Sequence, residues 1–295
     1  MISLDKDLQL SKKNFADFLQ ITLRVLDYLP NVISSSEEKN GYNIYSSHIA
    51  GNIKYIRPIK KELFISDSKN FKVHFDELER IFNRIKSKSI VPNKDKVIID
   101  KTIYTIQQSI GAGLDLLVNP NSARKHVGNR FEELIRIIFT EIGIANDKII
   151  LQIPYDTEEG QKTYNCENDL VISPYQKVMS SNKHLDKNEI VVSVKTTSKD
   201  RMGKMFIDKI LLERFVKHPQ KVIGIFLNDV QRKENNNISY TLVSGLFMVY
   251  SKFLTELEGI YYLDPPPNAF KKPYSGHMKR FSELLTTDLK NLLTF

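Results

Sequence analysis

Between residues 169 and 208 the chain carries acids and a lysine at spacings suited to phosphodiester hydrolysis. Asp169 opens the apolar run Leu170-Val171-Ile172, and the run Ile190 to Val194 ends in Lys195. Side chains alternate along an extended strand, so Ser193 and Lys195 share a face. Pairing of the two runs in one sheet sets Asp169 beside them. Carboxylates there would bind magnesium, which activates water and neutralises charge in a pentacovalent transition state. A lysine at the same point orients the water or stabilises the developing charge. An Asp at a strand start and a Lys at a strand end are also ordinary exposed residues, and alone they decide nothing.

Two further acids bear on the question. In GNRFEELIRIIFTEIG, residues 128–143, Phe131, Leu134, Ile135, Ile138 and Ile142 fall on one stripe of a helix. Glu132 sits at the edge of that stripe and can reach toward a sheet edge. Glu133 points to the opposite side and is expected in solvent. Asp208 lies 13 residues past Lys195, on a helix expected over 200–216, and is flanked by Phe206, Ile210 and Leu211. It is expected to face partly inward.

The elements that must position these residues follow from periodicity. Apolar spacing predicts a helix over 9–29 that Pro30 stops, a polar loop over 34–41, and helices over 72–87 and 97–118. Gly111 and Gly113 weaken the last of these near its end. The region up to about Pro120 therefore reads as mostly helical. Beyond it a helix is expected over 122–142, then strands at 148–154, 168–173 and 189–195. The helix over 200–216 is followed by strands at 221–227 and 238–246 and a helix at 247–258. Pro265 to Pro267 interrupt the chain before a closing amphipathic helix at 276–293, whose stripe of Met278, Phe281, Leu285, Leu289 and Leu292 suits a core or a dimer contact. The expected fold is α/β (α+β), a mixed sheet flanked by helices and preceded by a helical amino-terminal region. Three segments result: 1–120, a core over 121–264, and a tail over 265–295.

Composition narrows the class. The 295 residues carry 43 Lys and Arg against 35 Asp and Glu, a net charge of +8, which favours polyanions such as nucleic acid. No apolar run is long enough for a membrane helix, and the amino terminus has no signal-peptide pattern, so a cytoplasmic protein is expected. A single cysteine, Cys166, excludes an internal disulfide and any multi-cysteine zinc site. The histidines are scattered without metal-ligand spacing, and no phosphate-binding glycine loop is present.

Gly128-x-x-Phe131-Glu132 on a helix, Asp169 opening a strand and Ser193-x-Lys195 closing the next together resemble the PD-(D/E)XK nuclease superfamily. Ser193 stands where an acid is usual. That departure resembles the EcoRII-like branch of type II restriction endonucleases, in which the missing acid comes from the following helix. Asp208 has that spacing, although the branch usually carries Glu. The resemblance spans about residues 125–230.

It implies a restriction-endonuclease-like fold and a Mg2+-dependent hydrolase of double-stranded DNA leaving 5′-phosphates. Asp169, Asp208 and Glu132 would be the metal-binding acids, Lys195 would position the water, and Ser193 would assist. Lys199, Asp200 and Arg201 fall where those enzymes read bases, and Lys and Arg can donate to guanine while Asp accepts from cytosine N4. The implied target is a palindrome with adjacent G·C pairs (CCGG, CCNGG or CCWGG). A homodimer or tetramer and a cognate DNA methyltransferase are the implied partners. Two rivals stay open: a catalytically degenerate DNA-binding protein of the same fold, and a structure-specific repair or junction nuclease.

Overall fold

The computed structural model describes residues 2–49, 51–199 and 201–293; Asp200 lies outside them. The chain opens with α1 (Leu4–Gln9) and α2 (Phe15–Val32). Asn14 caps α2 by accepting from the Asp17 N–H, and the Asp17 carboxylate accepts from the Asn14 N–H in return. Pro30 does not end this helix, which runs on to Val32. It costs one hydrogen bond in the last turn, where little of the ladder remains to be broken.

The expected loop at 34–41 is a β-hairpin. β1 (Ser35–Lys39) pairs antiparallel with β2 (Tyr42–Ile49), and Asn40 and Gly41 turn between them at φ of 53° and 79°. Two successive positive φ values make the Asn-Gly turn that matches strand twist. β3 (Asn52–Tyr55) and β4 (Ile59–Lys60) both pair with β2, so the first 120 residues hold a four-stranded sheet among their helices. The helices α3 (Ser68–Lys86), α4 (Asn93–Leu117) and α5 (Pro120–Glu141) follow. α4 is buried on nearly every side from Thr102 to Leu114. Its Gly111 admits the Arg57 guanidinium, which a Cβ at that position would strike, and Arg57 pairs with Asp115 at 2.8 Å. The glycine that weakens the helix in isolation thus permits its burial.

The central sheet has six strands. β5 (Ala145–Thr157) and β6 (Gly160–Ser173) form a long antiparallel hairpin, and β6 pairs antiparallel with β7 (Ile190–Lys195). After α6 (Met202–Val216), β8 (Lys221–Asn228) lies parallel to β7. The expected strand at 238–246 shrinks to β10 (Ile238–Tyr240), which pairs with β9 (Val230–Arg232) outside the main sheet. The backbone leaves the strand at Thr241, whose N–H is held by the Asp229 carbonyl at 2.9 Å. α7 (Ser244–Phe253) then starts earlier and ends earlier than expected. Beyond it lies a wholly buried strand, β11 (Gly259–Asp264), which was not expected. β11 runs parallel to β8 on one side and to β12 (Met278–Arg280) on the other, giving the order β12-β11-β8-β7-β6-β5.

Strand alternation builds two apolar layers. Leu170, Val192, Val194, Ile223, Ile225 and Leu263 face α4 and α5, while Val171, Val191, Phe226 and Tyr262 face α6 and α7. The closing segment is not one regular helix. It begins as β12 and continues through Phe281–Glu283, a π-helical turn over Leu284–Asp288, and Leu289–Leu292. Phe281, Leu284, Leu285 and Leu289 are buried in the layer that holds α2 to α5, so this stripe is core. Among the described residues no helix is long and apolar enough to cross a membrane.

Candidate active site

The antiparallel register sets Leu170 against Val192, so one step further Asp169 meets the end of β7 at Ser193. Asp169 Oδ2 accepts the Val194 N–H at 3.0 Å and the Ser193 hydroxyl at 3.4 Å, and lies 2.7 Å from Lys195 Nζ. α5 brings Glu132 from the other side of the sheet edge, and its Oε1 accepts from Lys195 Nζ at 3.1 Å. One ammonium, from β7, thus bridges two carboxylates, one from β6 and one from α5. Burial, and then the charge of Asp169, push the Glu132 carboxyl above the usual glutamate range, against the pull of Lys195.

Asp208 occupies a different wall. It lies on α6 and grips Lys204 one turn earlier, at 2.6 and 2.8 Å. That pairing raises the Lys204 ammonium above its ordinary range, although burial acts to lower it. A cleft of about 330 Å³ is lined by Asp169, Ser193 and Lys195 on the sheet and by Arg201, Lys204 and Asp208 on the α6 side. Glu132, Asp169 and Lys195 are therefore brought together, whereas Asp208 faces the same cleft with its carboxylate engaged. Among the described residues no three acids, histidines or cysteines are grouped as a metal cage. Cys166 also lines the cleft, and burial, with Asp208 adding to it, raises its thiol above the ordinary range. A thiolate nucleophile is thereby disfavoured.

Glu133 departs from its expected place in solvent. Its carboxylate accepts from Ser11 Oγ at 2.8 Å, from the Lys12 N–H at 2.9 Å and from Arg130 at 2.7 Å. The segment before α2 covers that face of α5, a contact across more than a hundred residues that helical periodicity does not contain.

The turn between Lys195 and α6 is held from below. Lys199 and Arg201 are exposed, and Arg201 is the N-cap of α6. Beneath them Asp229, fully buried just past the end of β8, accepts from Thr197 Oγ1 at 2.9 Å and from the Ser198 N–H at 2.8 Å. It also accepts from Ser198 Oγ at 2.6 Å, Tyr262 OH at 2.7 Å and Thr241 Oγ1 at 3.4 Å. Sequence reasoning passed over Asp229. The available signal was its place after a parallel strand, because sites in parallel sheets gather at carboxyl ends.

No protein-family model matches the sequence, and no curated protein does. The structure is similar to the crystal structure of the Type IIP restriction endonuclease Kpn2I, with a TM-score of 0.70 and 19% identity, covering 99% of this chain and 95% of that one. A restriction endonuclease PspGI–substrate DNA complex aligns at a TM-score of 0.46 and 13% identity, over 77% of this chain and 92% of that one. The likeness to Kpn2I establishes a restriction-endonuclease-like fold along nearly the whole chain.

Proposed function

We propose that the chain is a magnesium-dependent, sequence-specific deoxyribonuclease of the type II restriction class. The observation that carries this reading is the Lys195 ammonium set between Asp169 and Glu132 at the end of β7. The Kpn2I-like fold and the net charge of +8 agree with it.

The donor chemistry suits magnesium. Asp169 and Glu132 each engage one oxygen within the protein, and the second oxygen of each takes no hydrogen bond among the described residues. Magnesium is commonly held by one or two carboxylates, with waters and substrate phosphates completing its shell. Asp169 would be the direct ligand and Asp208 the second carboxylate, with Glu132 in support. When bound, the ion would supply Lewis acidity toward the phosphodiester and a more acidic water. Asp169 is held in place by the Val194 N–H. Lys195 would orient the attacking water and stabilise the charge that develops on the phosphate. Ser193 steadies Asp169 through its hydroxyl.

Lys199, Asp200 and Arg201 would read the G·C part of an EcoRII-like palindromic site. Two copies of the chain would match its two-fold symmetry, the products would carry 5′-phosphates, and a methyltransferase would protect host DNA. The Asp208–Lys204 pair supports a second reading, a DNA-binding protein that has lost cleavage. Incubating purified protein with long unmethylated DNA, with magnesium or EDTA and alongside Lys195→Ala, separates the two. Discrete magnesium-dependent fragments that the variant does not produce support the nuclease. DNA binding without cleavage supports the second reading.

A further inference from the structure

The described residues between Lys195 and α6 form no helix or strand, yet the N–H groups of Lys199, Arg201 and Met202 are each held. The Lys199 N–H is held by Thr197 Oγ1 at 3.2 Å, and the N–H groups of Arg201 and Met202 by the Ser198 carbonyl at 3.0 and 2.9 Å. Thr197 and Ser198 in turn donate through three groups to Asp229. The Lys199 and Arg201 N–H groups are thus tied, through Thr197 and Ser198, to one buried carboxylate, while the Arg201 carbonyl accepts from the Met205 N–H of α6 at 3.3 Å. The remaining donors anchor that carboxylate to the scaffold, Tyr262 from β11 and Thr241 from the chain after β10. A buried carboxylate held by neutral donors must keep them or bear its full desolvation cost, so the arrangement is rigid.

We propose that Asp229 is a positioning residue for sequence discrimination: it fixes Thr197 and Ser198, and through them Lys199 and Arg201, relative to Lys195 and Asp169, so that base reading and phosphodiester chemistry stay in register. This rests on the nuclease reading above. Asp229 touches neither DNA nor the reacting atoms; it acts through Thr197 and Ser198. In Asp229→Asn an NH2 replaces one acceptor oxygen, and the donors that met it lose their partner. The turn then shifts while Lys195 and Asp169, tied to each other and to β7, stay in place.

The test compares kcat/KM on a cognate site with kcat/KM on sites changed at one base pair, for the wild type, Asp229→Asn, Ser198→Ala and Tyr261→Phe. Ser198→Ala removes one loop-side donor and leaves four on Asp229. Tyr261→Phe removes a phenol–carboxylate bond to Asp288 on the opposite face of β11, and serves as the stability control. The expected result is a cognate preference reduced about tenfold or more in Asp229→Asn and Ser198→Ala, chiefly through slower cognate cleavage, consistent with a poorly placed bidentate base contact. Tyr261→Phe should lower Tm and keep the wild-type preference. Should Asp229→Asn fail to fold, Ser198→Ala carries the test. Wild-type preference in Ser198→Ala, or a loss in Tyr261→Phe that tracks its Tm, overturns the proposal while the nuclease stands. A wild-type protein that cuts no DNA overturns both.

Discussion

Lys195 Nζ lies 2.7 Å from Asp169 Oδ2, the same oxygen that the Val194 N–H holds at 3.0 Å. The strand that delivers the lysine therefore also fixes the acid, so any movement of β7 carries both groups together. Removing either group should slow cleavage steeply without unfolding the chain, since both are partly exposed at a sheet end. Lys195→Ala and Asp169→Asn are expected to slow single-turnover cleavage by ~10²–10⁴-fold. Circular dichroism and Tm should stay close to the wild type.

Glu132 gives a pH-dependent readout. Burial and the Asp169 charge raise its pKa, and Lys195 opposes them. In Lys195→Met that opposition is gone, so Glu132 should hold its proton to still higher pH. A carboxyl-carbon NMR titration, assigned with Glu132→Gln, is expected to show the Glu132 midpoint moving up in the variant. A midpoint that moves down would contradict the electrostatic account.

Lys204 competes with any cation for Asp208. Lys204→Met frees that carboxylate and removes a positive charge from the cleft. Calorimetric titration with magnesium should give an affinity several-fold higher than the wild type, and Asp208→Asn should abolish the gain.

Asp100 bears on stability. It is buried near Ser282 and Arg280, and burial raises its pKa from 3.8 to about 6. Between those values the unfolded chain ionises while the folded one keeps its proton, so this group's contribution falls as pH rises and stays low above about 6. At neutral pH the cost is on the order of 3 kcal/mol or less. Asp100→Asn should therefore improve stability relative to the wild type more at pH ~7.5 than at ~4.5, as urea unfolding at the two pH values would show.

What sequence revealed was local in origin. Alternation placed Ser193 and Lys195 on one face, and a helical stripe placed Glu132 at its edge; both positions agree with the structure. The segment 34–41 was expected as a polar loop, because the polar residues around Asn40-Gly41 concealed a hairpin whose buried side is confined to β2. β11 was hidden because only four apolar residues, Ile260 to Leu263, stand between Gly259 and Asp264, a run too short to assign to strand or helix by periodicity. Glu133 and Asp229 were beyond local reasoning. Their partners come from segments far away in sequence, and only the folded sheet brings them within reach. The resemblance over residues 125–230 likewise understated the fold, which follows Kpn2I along 99% of the chain.

The central claim is tested most directly by sequencing the ends of fragments released from long unmethylated DNA in magnesium. The expected ends are 5′-phosphorylated and all map to one short palindrome containing adjacent G·C pairs, with release by Lys195→Ala slowed ~10²-fold or more. Ends without a common sequence, or release at the wild-type rate by Lys195→Ala, would contradict the nuclease reading.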